Sequence, residues 1–286
     1  MKTIGIVFLY YPNESEIVHN IGLYADSLIK LLIYNNTPNV TNDYYEKLCK
    51  GCIYYDKIEF WGGEGNKGLA LPINLAMQKA IIEEYDALLT MDQDSIWVNF
   101  NEFIENVEKE LRYRENIYRP NIYNAHGDSL FFITNNVLFN SGTLYGANAL
   151  KRIGLMNETM FVEGIDIEYG IRAKLANVSI LTYKNGKMEH NKEEVCSYHK
   201  RILGRNIPRC KYNSQRLYGI TFSNVLMARE FSGEIRRNII KGIFVSYGFK
   251  TTILPILLFE KNKFSRIYNY FKGIWNGLFV EVTKRY

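Results

Sequence analysis

Proline, paired cysteines and glycine-rich phosphate signatures are scarce in this chain, and each shortage excludes something. Only 6 of the 286 residues are proline and there is no Ser/Gly tract, so no long flexible linker is expected. No G-x-G-x-x-G follows the first apolar run and no G-x-x-x-x-G-K-[ST] occurs, which argues against a dinucleotide fingerprint on the first strand and against a P-loop. The four cysteines, Cys49, Cys52, Cys196 and Cys210, contain one close pair, whereas a structural zinc site needs two. Free intracellular thiols are the expectation. Met1-Lys2-Thr3-Ile4 enters an apolar run with no basic-then-apolar leader, so no secretory signal is expected. The chain is expected in the cytoplasm, or peripherally on the inner face of the cell membrane. Ile239 to Phe259 is rich in Ile, Leu and Phe, but Lys241 and Lys250 break it, which is too interrupted for a spanning helix.

What is present suits an enzyme-sized globular fold. Hydrophobic residues make up 47%, enough for a substantial core. The net charge of +5 fits anionic partners such as nucleotides or acidic lipid, and is too mild for nucleic acid. Ile4–Tyr10, Lys30–Tyr34, Lys57–Trp61 and Tyr85–Met91 read as short buried strands. Ser15–Ile29 and Leu71–Glu84 carry helical spacing between them, and Asn101–Tyr113 is a charged amphipathic helix. Further strands are expected at Asn121–Tyr123, Leu130–Ile133, Val137–Phe139 and Val178–Tyr183, and Asp166–Ala176 reads as a helix. The alternation predicts an α/β fold with a doubly wound, mostly parallel, Rossmann-like sheet. The division is expected at residue 230, with 231–286 a helical C-terminal extension.

The fourth strand runs into Asp92-Gln93-Asp94-Ser95. Ligands of open α/β sheets bind at the carboxyl ends of the strands. On extended backbone, residues i and i+2 point the same way, so Asp92 and Asp94 would converge there. Two adjacent carboxylates repel unless a proton or a cation lies between them, and a hard divalent cation holding a diphosphate fits. A polar turn with both Asp side chains capping backbone N–H groups fits equally well. Phe161 to Glu168 forms a second acidic cluster at a helix start, with Arg172 and Lys174 near its end, a pattern the helix dipole alone can explain. Asn140 to Gly146 places two glycines beside hydroxyl residues, as a close backbone approach or an ordinary turn would. After Lys261, basic residues alternate with aromatics on helical spacing, which suits a helix lying in an anionic membrane interface and, equally, one packed on the fold.

Taken together, these stretches resemble the family 2 inverting glycosyltransferases, and among them the rhamnosyltransferase-like bacterial enzymes, over residues 4 to 225. Tyr10-Tyr11-Pro12 is similar to the family's first strand end. Asn35, in Ile33–Thr37, stands where an Asp usually meets the base. Asn66-Lys67-Gly68-Leu69-Ala70 with Asn74 resembles the N-x-G-x-A segment, and Leu89–Ser95 the D-Q-D-S form of the D-x-D motif. Ser141-Gly142-Thr143 resembles the small-residue segment before the acceptor region. Phe161–Glu168 resembles F-I-D-x-V-D-I-E, with Asp166 at the later Asp, Glu163 at the earlier one and Gly164 in place of a bulky residue. His190 matches a His of the metal shell.

The resemblance implies a mixed GT-A-type sheet and a metal-dependent inverting transferase. Asp166 would be the general base. Tyr11, Asn35, Asn66, Asp92 and Asp94 would bind the donor, and Ser141, Gly142, Glu168 and Arg172 the acceptor. Asp92, Asp94 and His190 would hold Mn²⁺ or Mg²⁺, the His favouring Mn²⁺ slightly. It implies dTDP-rhamnose or a UDP-sugar as donor, and a saccharide or lipid-linked saccharide as acceptor, with a membrane surface as partner should the tail lie on one. Two rivals are a glycoside hydrolase, which needs no strand-end D-x-D, and a catalytically inactive nucleotide-binding scaffold of a polysaccharide assembly complex.

Overall fold

The structure is a computed structural model that describes residues 1–122, 132–135, 138–190, 197–202, 205–210, 213–246, 248–260 and 262–282. By contacts the chain divides into two compact units, Met1–Phe161 with Asp166–Asn191, and Val162–Ile165 with Lys192–Tyr286.

In the first unit the elements run β1 (Thr3–Leu9), α1 (Glu14–Gly22), β2 (Lys30–Asn35), α2 (Asn42–Cys49), β3 (Ile58–Gly62), α3 (Ala70–Ile82), β4 (Ala87–Asp92), β5 (Ser95–Trp97) and α4 (Phe100–Glu108). They continue with β6 (Ile117–Arg119), β7 (Phe132–Asn135), β8 (Thr143–Gly146), α5 (Ala147–Ile153), α6 (Ile165–Leu175), β9 (Ile180–Tyr183) and β10 (Met188–His190). Among the described residues, eight strands form one sheet in the order β3-β2-β1-β4-β8-β6-β9-β7. β3, β2, β1 and β4 are parallel, as the strand–helix alternation predicts, and β8 then runs antiparallel to both β4 and β6. All seven residues of β1 are buried, which is why it reads as an unbroken apolar run rather than an alternating one.

The parallel half puts four strand ends on one edge, where Tyr10–Pro12, Asn35–Thr37, Gly62–Gly68 and Asp92–Asp94 lie. Among the described residues strand β5 pairs only with β10, in the antiparallel register Met188↔Trp97 and His190↔Ser95. Trp97 anchors it: its ring stacks on Phe103 at 4.9 Å and meets Phe100 edge-on at 5.5 Å. Each such buried side chain contributes about 1.5–3 kcal/mol.

Several expectations shift. A strand stands at Ile117–Arg119, while Asn121 and Ile122, the described part of the strand expected at Asn121–Tyr123, belong to none. The segment read as a turn at 140–146 contains the central strand β8. Residues 123–131 and 136–137 of the other expected strands lie outside the described residues, as do 191–196. Helix α2, not foreseen, carries Cys49 at its end, and both Cys49 and Cys52 are free thiols.

The second unit holds β11 (Ser197–Ile202), β12 (Arg205–Cys210), α7 (Ser214–Glu230), α8 (Gly233–Ser246), α9 (Leu254–Phe259) and α10 (Lys263–Phe279), with a π-helical turn at Phe249–Ile253. Strands β11 and β12 pair as an antiparallel hairpin. Leu217 of α7 shares a small core with Ile253, Ile256 and Tyr270. Helix α7 therefore belongs with the C-terminal helices, and the division falls near residue 192 rather than at 230. Among the described residues, no helix is long and apolar enough to cross a membrane.

Candidate active site

The D-Q-D-S segment is a tight turn, not an extended strand end. Strand β4 closes at Asp92, Gln93 and Asp94 turn, and β5 begins at Ser95. The pleat that would aim Asp92 and Asp94 the same way therefore stops at Asp92, and the turn itself sets where Asp94 lies. Three ties hold it. Gln93 Oε1 accepts from Tyr10 N at 2.8 Å while its Nε2 donates to Tyr10 O at 3.0 Å, and Asn20 Nδ2 donates to the Gln93 carbonyl at 3.0 Å. Ser141 Oγ accepts from Asp92 N at 3.1 Å and donates to Ser95 Oγ at 2.6 Å. Gly142 N donates to Thr90 O at 2.8 Å.

Ser141 is 5% exposed, so its hydroxyl serves the turn rather than an acceptor. Gly142 sits at φ +72°, and a Cβ there would stand 2.6 Å from Met188 Sδ and 3.0 Å from Pro120 Cγ. Its role is to let β10 pack close. That packing matters because the register puts His190 directly across from Ser95, the residue after Asp94. Directly opposed residues lie about 4.5–5.5 Å apart at Cα.

The second acidic cluster opens helix α6, and a buried tyrosine stands in the neighbouring strand β8. Tyr145 on β8 is completely buried, and its hydroxyl is pushed well above the ordinary tyrosine range, first by burial, then by Tyr169, with Asp166 and Asp92 adding to the rise. Asp166 and Asp92 are half-buried. Asp166 lies in the first turn of α6, where its Oδ1 accepts from Ile167 N at 2.9 Å. Tyr145 is the residue that sequence reasoning missed; an aromatic in a four-residue strand carries no signal of its own.

Glu168 and Arg172 do something other than the acceptor contact expected of them. Both are about fully buried, at 0% and 1% exposure. Arg172 Nε and Nη2 meet the two Glu168 carboxylate oxygens at 2.6 and 2.8 Å, and Nη1 donates to Ile153 O at 2.9 Å. The pair fastens α6 to the end of α5 and presents no polar atom to solvent. Asn35 is likewise sealed: its Nδ2 donates to Val40 O and Asn42 Oδ1, and its Oδ1 accepts from Thr37 N. It shapes the loop that follows β2 instead of facing a base.

That loop walls a cleft of about 410 Å³ lined by Tyr11, Pro12, Thr37, Val40, Tyr44 and Tyr45, among others. Tyr11 is 62% exposed at its mouth, and its backbone N donates to Thr37 Oγ1 at 3.1 Å. Next to it, Asn36 Oδ1 accepts from Lys67 N and its Nδ2 donates to Gly68 O. Asn66 Oδ1 accepts from Gly68 N at 2.9 Å. Gly68, at φ +74°, lies so close to Phe161 that a Cβ would come within 2.2 Å of its carbonyl oxygen, and Leu69 N donates to that same oxygen at 2.8 Å. One sheet edge thus gathers an aromatic cleft, an Asn/Gly loop, the Asp turn and the start of α6.

No family model matches the chain, and no curated protein does. Solved structures do. GalNAc-T7, solved with UDP, GalNAc and Mn²⁺, matches with a TM-score of 0.60 at 10% identity, over 97% of this chain. The mannosyltransferase PcManGT from Pyrobaculum calidifontis, in complex with GDP-Man and Mn²⁺, matches at 0.52 and 9% identity, over 97% of this chain and 87% of its own. S. aureus TarS 1-349 matches at 0.54 and 15% identity, over 97% and 81%. The fold is of the GT-A type. The chain spans 56% of the GalNAc-T7 chain it matches. The β4–β5 turn carries two carboxylates, and oxygen donors of this kind suit a hard divalent cation. Among the described residues no group of three His, Cys, Asp or Glu stands together that could hold a metal ion.

Proposed function

We propose that the protein is a metal-dependent glycosyltransferase that moves a sugar from a nucleoside diphosphate donor to a hydroxyl of a saccharide or lipid-linked saccharide, with inversion. The observation that supports this reading is the strand register that sets residue 190 across from Ser95, beside the Asp92–Asp94 turn, at the sheet edge where the Asn66 loop and the Phe161 backbone also meet. The matched structures with nucleotide and Mn²⁺ support the donor class. Within it we favour dTDP-rhamnose, on the resemblance of the motif series, over a UDP-sugar.

Asp92, Asp94 and His190 would hold Mn²⁺ or Mg²⁺, which when bound offsets the charge growing on the departing diphosphate. Tyr11 and the neighbouring tyrosines offer flat faces to a base, and Asn66 holds the loop beneath the donor in one pose. Asp166 takes the proton of the acceptor hydroxyl as its oxygen bonds the anomeric carbon, while the bond from that carbon to the diphosphate oxygen breaks. Attack from the face opposite the leaving group inverts the centre. The resemblance of Phe161–Glu168 to the segment of inverting transferases, with Asp166 at its later Asp, is what supports inversion here.

A panel of nucleotide-sugars, titrated with and without Mn²⁺, tests the reading, with product anomers assigned by NMR. Metal-dependent binding and transfer by one donor, with inverted product, is expected. Retained configuration would remove Asp166 from the role of base. Binding without turnover of any donor would leave the scaffold reading standing.

A further inference from the structure

Helix α10 is apolar on two opposite sides. Its inner side is notched by Gly273 and Gly277 against α7: a Cβ on Gly273 would fall 2.0 Å from Thr221 Oγ1, and one on Gly277 would fall 2.9 Å from Phe222 O. Tyr270, on the same side, is 7% exposed. These contacts leave the helix one rotational setting. That setting turns Phe264 (92% exposed), Tyr268, Phe271, Trp275, Leu278 and Phe279 out to solvent. At about 100° per residue the six fall within an arc of roughly 100°. Single exposed apolar residues need no explanation, but a continuous stripe of this kind marks a surface meant to be covered.

The charge of the same segment says by what. Residues 231–286 carry ten Lys and Arg against three Glu, a net +7, while residues 1–230 carry 25 against 27 Asp and Glu, a net −2. All of the chain's excess positive charge therefore lies in residues 231–286. Lys272 is exposed at the edge of the stripe, 5.7 Å from the Tyr268 ring. Trp and Tyr prefer the headgroup level of a bilayer, and clustered cations attract anionic lipid. A second copy of the chain would bring one +7 segment against another, which is unfavourable. A helix this size does not span a bilayer; it would lie in the interface.

We infer that α10 docks flat on an anionic lipid surface through the Phe264–Phe279 stripe. This does not depend on the transferase reading, because the test uses no sugar donor. The full chain is mixed with vesicles of phosphatidylcholine alone, or with about 30% phosphatidylglycerol, and bound protein is measured by sedimentation. Stronger partition onto the phosphatidylglycerol vesicles is expected, falling at about 0.5 M salt. The double variant F271S/W275S changes only exposed side chains, so it should keep its circular dichroism and melting temperature while losing at least about tenfold in partition. Absence of binding to either vesicle, or binding unchanged in the double variant, overturns the proposal. So does a concentration-dependent dimer in sedimentation velocity that the double variant abolishes, which would make a second copy the occupant.

Discussion

Gln93 and Tyr10 are joined through both ends of one carboxamide, which accepts from the Tyr10 N–H and donates to the Tyr10 carbonyl. The side chain thereby imitates the strand partner that Tyr10, just past β1, would otherwise lack. It also explains the residue between the two aspartates: it points away from them, into the neighbouring strand end. Replacing Gln93 with Leu removes both bonds at nearly constant volume. The expected cost is about 1–2 kcal/mol, read as a lower urea midpoint with unchanged slope. Metal-dependent donor affinity should fall with it, measured by titration calorimetry.

Asp166 and Asp94 should separate cleanly in kinetics. Asp166→Asn keeps shape and removes the base, so kcat is expected to drop about 100- to 10,000-fold with donor affinity nearly intact. Asp94→Ala should instead abolish the difference between donor binding with Mn²⁺ and without it, a loss of about tenfold or more. Near-normal turnover of Asp166→Asn would show that another group takes the proton.

The Glu168–Arg172 pair gives a stability prediction where an acceptor contact would give a kinetic one. Arg172→Met leaves a carboxylate buried without its partner, at an expected cost of roughly 3–5 kcal/mol. Thermal unfolding should show a large drop. An acceptor role would instead raise the acceptor KM in a protein of unchanged stability.

These positions also show what could be read from residues alone. The β4 end, the Asp turn and the start of α6 were legible, because buried parallel strands and acid clusters leave marks in the order of residues. The burial of Glu168 and Arg172 was not: an acid and a base four apart look the same on a wet helix face as on a dry one, and only the packing of α5 decides. Strand β6 was hidden by Arg119, a charge that reads as a loop although it is 1% exposed, bonded to Thr182 Oγ1 and set against the Phe139 ring at 4.6 Å. Strand β8 was hidden by its brevity and its flanking glycines. A G-x-G-x-x-G spacing does occur, at Gly63–Gly68 after β3, and there the last glycine serves the close approach to Phe161.

Alkaline pH should weaken the first unit. Burial pushes the Cys49 thiol up to about 12, and the nearby Cys52 adds to the rise. The unfolded chain ionises this thiol near its ordinary value, about 8.5, while the folded chain still holds the proton. The stabilising contribution is thus complete below about pH 8.5 and is lost as pH climbs towards about 12, at up to about 1.4 kcal/mol per pH unit. Cys49→Ala should flatten that part of the stability curve, measured by urea unfolding at successive pH values.

Gly68 and Phe161 meet backbone to backbone, with no side chain between them to act as a cushion. Such a joint transmits displacement without damping. A ligand that pulls the Asn66 loop inward must carry residue 161 along, and 161 stands a few positions ahead of Asp166 in the chain. Gly68 is therefore the position on that loop where even a methyl group would force the backbone at 161 to move.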